Sequence, residues 1–582
     1  MSFQELAALF QQIEDTSSRL GMTEILSELF GQTSAQEAQY IAYLTMGVLN
    51  PPYVGTQFNL ADKHVATIVA RTCSLELAQI HELMRTHGDL GAVIDVCKGS
   101  QGIEQQLSVS AVYENLHAIE QIAGAGSQEL KIDHMCMLLQ SVDALCAKYI
   151  VRIVTGKLRL GFSDMTMIDA VSWMLAGNKS LRPAVEEAYN RCADIGRIVR
   201  IAKESGIDGL KAIGVTVGIP IRMAAAERAK DAQEVIDKIG PSMAQPKLDG
   251  FRLQIHVDRT GGEPVVHFFS RNLLDMSSMF PDLVLVFKNL PVDTIICEGE
   301  AIAYEPNTGK FVPFQETVKR KRKHDIQAVA DQLPLQVFLF DILFLNGQEV
   351  MNQGQEARRA LIAGVLDQAS SETRAVVSLI EEVRVTTAHE LEEYFVRNVD
   401  GGLEGLVIKK PNAIYQPGKR NFNWIKLKRI QGSKLEDTID VVIVGYYYGQ
   451  GKRAKFGIGA LLVAVYNKQE DLFQTVAKIG TGLSDSEWVD ARKRCDAYAT
   501  DTQPVSVVCH KDLAPDVWVK PEIVCQVCAD EITVSPLHAA GLKGDQLGLA
   551  LRFPRFIGYR PDKSPNEVTT AQEIRELYQD QF

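Results

Sequence analysis

No apolar run in this 582-residue chain reaches the ~20 residues that a membrane-spanning helix needs. Cysteine is sparse as well. Ten residues lie scattered along the chain, which excludes a disulfide-stapled scaffold and suits a reducing compartment. The single C-x-x-C, Cys525 and Cys528, has no second Cys or His pair at zinc spacing. It sits in a segment that reads as a strand, where residues three apart face opposite ways. Core packing is therefore expected there, not a metal. No internal repeat or low-complexity stretch is found. The opening Met1-Ser2-Phe3-Gln4-Glu5-Leu6 lacks the basic and apolar regions of a secretory signal, so a cytoplasmic protein is expected. Positive charge is short too: 61 Lys and Arg against 73 Asp and Glu give a net charge of −12. For a large chain that sum does not exclude a polyanionic partner, because phosphate contacts need only a local basic surface. Two such stretches exist. Residues 409 to 434 hold eight Lys and Arg with no Asp or Glu, and Lys319-Arg320-Lys321-Arg322-Lys323 is unbroken.

What is present is an ordinary globular balance, 46% hydrophobic and 23% charged, over a length that suits about three or four domains. Residues 1–212 read as helical. Phe3, Leu6, Phe10 and Ile13 fall on one helical stripe. Ser34 to Glu37 is a capping-box pattern, and Thr166 to Asp169 resembles one. Lys157, ahead of Leu158-Arg159-Leu160-Gly161, places two cations beside a glycine turn. That is either a phosphate contact or a helix C-terminus with its basic residues and glycine stop. Residues 213–432 alternate period-2 strands with helices. A hairpin is expected over 251–257 and 265–269, with strands at 294–304, 335–345 and 405–409. Residues 433–582 are rich in short β-branched strands, as in a small barrel of the OB type. The expected class is multidomain: an all-α domain, an α+β domain and an all-β OB-fold domain.

Chemistry concentrates at Gln245-Pro246-Lys247-Leu248-Asp249-Gly250-Phe251-Arg252, opening the α+β part. Alone, K-x-D-G reads equally as a lysine before a tight Asp-Gly turn. It has company downstream, in this order: Ser270-Arg271-Asn272; Cys297-Glu298-Gly299-Glu300; Leu339-Phe340-Asp341-Ile342; Glu404-Gly405-Leu406-Val407-Ile408-Lys409; Gly418-Lys419-Arg420; Trp424-Ile425-Lys426-Leu427-Lys428; Arg552-Phe553-Pro554-Arg555; and Arg560, Asp562 and Lys563.

This ordered set resembles the covalent nucleotidyltransferases: ATP-dependent DNA ligases, RNA ligases and capping guanylyltransferases. Ala147-Lys148-Tyr149-Ile150-Val151-Arg152, with the segment from Lys157, resembles the helical DNA-binding domain of archaeal and eukaryotic replicative DNA ligases. The resemblance spans nearly the whole chain. It implies a helical DNA-binding domain, an adenylation domain and an OB-fold domain, acting as a monomer on nicked duplex DNA in replication, repair and recombination. Lys247 would take AMP from ATP and pass it to a DNA end, splitting one hard step into easier ones. Lys426 and Lys428 share a strand face; they would hold the α-phosphate and keep Lys247 deprotonated. Glu404 resembles the metal-binding carboxylate. Glu300 resembles the residue that holds the ribose and also approaches the Mg²⁺, for which Mn²⁺ can substitute. Phe340 resembles the aromatic that stacks on adenine, though core packing explains it equally. Arg252 and Arg271, joined by Arg420, would contact ribose and phosphates. Arg560, Asp562 and Lys563 would orient the pyrophosphate after closure at a hinge near 430–436. Lys157, Arg159, Arg320 and Arg322 would meet DNA phosphates.

The sequence departs from the pattern twice. Gln245 stands where relatives usually carry Glu, and its amide offers a carbonyl acceptor plus a donor; ATP is expected, with ADP or GTP use open. Gly102-Ile103-Glu104-Gln105-Gln106 lacks the paired aromatics of a sliding-clamp motif, so clamp binding rests on little. An RNA ligase or capping enzyme is the alternative, and the helical domain favours DNA. An NAD-dependent ligase would need a cysteine-rich zinc module. A non-enzymatic scaffold would have lost Lys247 or Glu404.

Overall fold

The computed structural model describes residues 1–16, 18–99, 106–158, 160, 162–305, 311–312, 317, 330, 332–428, 438–541, 547–579 and 581. Arg159, Arg320, Arg322, residues 102–105 of the clamp-motif place and the expected hinge at 430–436 lie outside the described residues. By packing, the chain forms two compact units: Met1–Ala61 with Ile103–Arg429, and Asp62–Gly102 with Ile430–Phe582.

In the first unit, the helix Phe3–Asp15 starts at a reciprocal cap between Ser2 and Glu5 and buries Phe3, Leu6, Phe10 and Ile13. Phe10 meets Tyr149 of the helix Ala144–Val154 edge-on, with ring centroids 5.3 Å apart. Lys148 and Arg152 of that helix are themselves buried. They reach Glu14 at 3.1 and 2.8 Å, so these two basic residues hold helices together. Two cap expectations change. Ser34 does accept the Glu37 amide at 3.2 Å, but the Glu37 carboxylate binds the chain's N-terminal ammonium at 3.0 Å, leaving half a box. Thr166 and Asp169 lie inside the helix Asp164–Ala176, whose N-cap is Ser163. Asp169 is taken by Lys179 at 2.8 Å and Arg182 at 3.2 Å, and an S/T-x-x-D spacing alone does not place a helix start. The helix Ala144–Val154 ends before Gly156, at φ +64°, and Lys157 follows it.

Strands begin after the helix Ile195–Lys211. They are β1 (Ala225–Ala229), β2 (Ser242–Pro246), β3 (Phe251–Asp258), β4 (Val265–Ser270), β5 (Thr294–Ala303), β6 (Leu335–Leu345), β7 (Gln348–Glu349), β8 (Val377–Leu379), β9 (Val383–Val385), β10 (Gly405–Lys409) and β11 (Arg420–Lys428). They make a five-stranded sheet, β1-β11-β10-β2-β9, and a six-stranded sheet ordered β4-β3-β5-β6-β7 with β8 paired to β6. Period 2 decides what each face carries. Ala244, Leu406, Ile408, Ile425 and Leu427 pack in one core with residues of the helices Ala232–Ile239 and Ala388–Asp400. Their strand neighbours Gln245, Val407, Lys409, Lys426 and Lys428 therefore face the other way. On the second sheet Leu253, Ile255, Cys297 and Ala301 fill another core. Arg252, Gln254, Glu298 and Glu300 take the opposite face.

The second unit is β-rich. It holds the helices Asp62–Cys73, Leu77–His87 and Leu90–Lys98, a seven-stranded sheet and a two-stranded ribbon. The helix Asp485–Asp496 lies between strands and the helix Ala571–Gln579 follows the last of them. On one strand Cys525 packs into the core of this unit, as expected, whereas Cys528 is only half-buried.

Candidate active site

The outward-facing residues of both sheets line one cavity of about 680 Å³. Its floor is set by backbone geometry. β2 ends at Pro246, which has no amide hydrogen to continue a ladder. The Lys247 amide donates to the Gly405 carbonyl at 2.8 Å, and the Glu404 amide donates to the Lys247 carbonyl at 3.3 Å. A lysine and a carboxylate 157 positions apart are thereby fixed as neighbours. Gly405 is required at that junction. Its φ is +140°, and a Cβ there would run into the Leu427 carbonyl. At Gly250 a Cβ would meet the Ala301 carbonyl, and the Gly250 amide instead donates to Glu300 Oε1 at 3.1 Å.

The charged groups form a chain around Lys247. Its Nζ pairs with Glu404 Oε2, while Lys428 Nζ holds the other oxygen of Glu404 at 2.6 Å. Burial, with the nearby Lys428 and Lys426 charges, brings the Lys247 ammonium down to about 8 from the usual lysine range; Glu300 and Asp249 oppose the shift. Glu300 is pushed up to about 7, first by burial, with Lys247 and Arg252 holding it back. Lys426 and Lys428 are both lowered, chiefly by burial; for Lys426 the charges of Arg420, Lys428 and Arg271 add to it. The result is an ammonium held well below the usual lysine range, a carboxyl group held above its usual range and two further lowered cations, all facing one cavity.

Gln245, Lys247, Arg252, Arg271, Glu300, Phe340, Glu404, Lys426 and Lys428, all singled out from sequence, line that cavity together. Arg252 is engaged elsewhere: Nη1 donates to the Ala224 carbonyl at 2.9 Å and Nη2 to Glu298 at 2.9 Å. Its guanidinium lies 5.5 Å from the centroids of both Phe340 and Trp424. Glu298 is fully buried and carries this pair, whereas Glu300 is open to the cavity; one strand face separates their roles by depth. Phe340 is half-buried at the wall, so it is available as a stacking surface. Arg420 and Lys157 are not lining residues. Arg560, Asp562 and Lys563 belong to the second unit. There Arg560 pairs with Asp440 at 3.2 Å and Asp562 at 2.8 Å, and Lys563 holds Asp440 at 2.5 Å.

Sequence reasoning missed several participants. Lys409 is 1% exposed, yet it lies against the cavity with its ammonium 4.2 Å from the Trp424 ring centroid. It donates to the Phe340 carbonyl at 2.8 Å and lies 3.7 Å from Asp341, and burial brings it to about 8. Asp341 in turn forms a fully buried pair with Arg358 at 2.7 Å. A lysine ending an apolar strand was the available signal for Lys409. Nothing local marks the loop Pro52-Tyr53-Val54-Gly55, which closes one side of the cavity. Tyr53 anchors it by donating to Asp194 at 3.1 Å.

The site's composition has counterparts among known proteins. Residues 2–172 match the DNA ligase N terminus, 223–428 the ATP dependent DNA ligase domain, and 454–563 the ATP dependent DNA ligase C terminal region. A probable DNA ligase of Dictyoglomus thermophilum is 43% identical over all of this chain and 98% of its own length. A DNA ligase of Sulfolobus acidocaldarius is 36% identical over all of this chain and 98% of its own. Among solved structures, "Pmar-Lig_PreS3" shares the fold with a TM-score of 0.56 at 18% identity, over 95% of this chain and 99% of that one. The shared domains, the full-length likeness and a poised lysine beside a carboxylate converge: this chain belongs to the ATP-dependent DNA ligases.

Proposed function

We propose that Lys247 is the residue through which this ligase seals 5′-phosphate/3′-hydroxyl nicks in duplex DNA. Its neutral amine attacks the α-phosphorus of ATP, the bond to pyrophosphate breaks, and AMP remains on Nζ as a phosphoramide. AMP then passes to the 5′-phosphate of the nick, and the 3′-hydroxyl displaces it. The observation that carries this reading is the lowered, cavity-facing amine between Lys426, Lys428 and Glu404. Charge builds on phosphate oxygens along this path, so fixed cations do most of the work. Lys426 and Lys428 take the α-phosphate, Arg271 reaches the phosphates at the cavity mouth, Phe340 stacks on the base, and Glu300 holds the ribose.

Glu404 and Glu300 both present oxygens to the cavity, which suits a hard divalent cation such as Mg²⁺, or Mn²⁺ in its place. No group of three or more His, Cys, Asp or Glu is assembled for a metal among the described residues. Phosphate and water would therefore complete the shell, and the ion would supply charge neutralisation. Arg560 and Lys563 can serve the pyrophosphate by exchanging the Asp440 carboxylate for phosphate oxygens. The domains proposed are 1–212, 213–432 and 433–582, in a monomeric cytoplasmic enzyme of replication, repair and recombination.

The test is label transfer. Incubation with α-labelled ATP and Mg²⁺ gives a covalent adduct that Lys247→Ala abolishes; an adduct surviving that change places the nucleophile elsewhere.

A further inference from the structure

Gln245 lies two residues before Lys247, about 7 Å along the chain, the scale of a ribose between an α-phosphate and its base. It lines the cavity with Phe340 and Trp424 and is 2% exposed, so solvent does not average its amide. Its Nε2 donates to Glu382 Oε2 at 2.6 Å. An ionised carboxylate only accepts, so this contact fixes the amide with nitrogen toward Glu382 and oxygen away. Glu382 is 3% exposed, and its other oxygen lies 3.2 Å from Arg359 Nε. Arg359 is anchored in turn, with Nη2 donating to the Ile380 carbonyl at 2.7 Å. Among the described residues, Gln245 Oε1 has no hydrogen-bond partner, and part of its surface is left open.

We infer that Glu382 is a positioning residue that makes Gln245 present an acceptor, and never a donor, to the nucleobase, so that the site takes a 6-amino purine over a 6-oxo purine. The inference rests on the reading that Lys247 receives the nucleotide. An amide able to turn over would satisfy either base. Clamped by Arg359 and Glu382, it satisfies the amino group of adenine and opposes the carbonyl of hypoxanthine or guanine, acceptor against acceptor.

Glu382→Gln reverses the clamp. Arg359 keeps an oxygen of the new amide facing itself, so the nitrogen replaces Oε2. That nitrogen donates, and Gln245 must turn its oxygen toward residue 382 and its Nε2 into the cavity. The measurement is kcat/KM for covalent labelling with α-labelled ATP and α-labelled inosine triphosphate. The ATP preference of Glu382→Gln falls by roughly tenfold or more, with a gain for inosine triphosphate. Glu382→Ala, which frees the amide without reversing it, gives an intermediate ratio. Both nucleotides meet the same enzyme, so the ratio is insensitive to partial loss of folded protein. Unchanged ratios in both variants, with wild type labelled by ATP, overturn the inference. Absence of label on wild type, or label that survives Lys247→Ala, overturns the underlying reading instead.

Discussion

Replacing Lys428 with methionine should make Lys247 harder to deprotonate, and the size of the effect follows from the site. Lys247 and Lys428 sit on opposite oxygens of the Glu404 carboxylate. A separation of roughly 6 Å gives ~3 kcal/mol of repulsion at an effective dielectric of ~20. Lys428 is 36% exposed, and solvent screening cuts this to about 1 kcal/mol, somewhat under one pKa unit. Losing Lys428 also leaves Glu404 to Lys247 alone, which acts in the same direction. The reactive form is the neutral amine, so labelling rises with pH through about 8 in the wild type and then levels. In Lys428→Met that midpoint moves up toward 9. At pH 7 the neutral share drops from about one in ten to about one in fifty, a loss that higher pH restores. Any deficit persisting on the plateau measures the missing phosphate contact. The assay is single-turnover formation of the labelled enzyme between pH 6 and 10. A midpoint that stays put or falls in the variant would refute the argument that neighbouring cations tune this amine.

The remaining expectations concern stability and DNA. Asp341→Ala leaves Arg358 uncompensated in a fully buried place and removes the carboxylate near Lys409, so denaturant unfolding should show a loss of ~3–5 kcal/mol; a change below ~1 kcal/mol contradicts the structural role given to the pair. Affinity for nicked duplex should fall steeply with salt despite the net charge of −12, because lysine and arginine contacts release counterions; a flat dependence removes the basic surfaces from the interface.

Local chemistry was legible in the residues themselves. Lys247 and Glu404 stood out through the ordered motifs that resemble a known family; the paired lysines on β11 are marked by spacing, because period 2 assigns alternate side chains to one face whatever the strand later pairs with. The stripe of the helix Phe3–Asp15 was legible for the same reason at period 3.6. Patterns that need a partner to be meaningful misled. Thr166 and Asp169 looked like a helix start but lie within a helix.

Which faces meet is a different question, settled by long-range closure. Lys247 and Glu404 become backbone neighbours because β2 and β10 pair, and no local signal encodes that pairing. The same holds for Glu382 beneath Gln245, for Arg358 on Asp341, and for residues 62–102 grouping with the C-terminal part. The sequence by itself determined the chemical inventory and the face on which each group stands. The tertiary structure alone decided the distances, and with them the lowered amine, because burial and charge proximity are properties of packed neighbours.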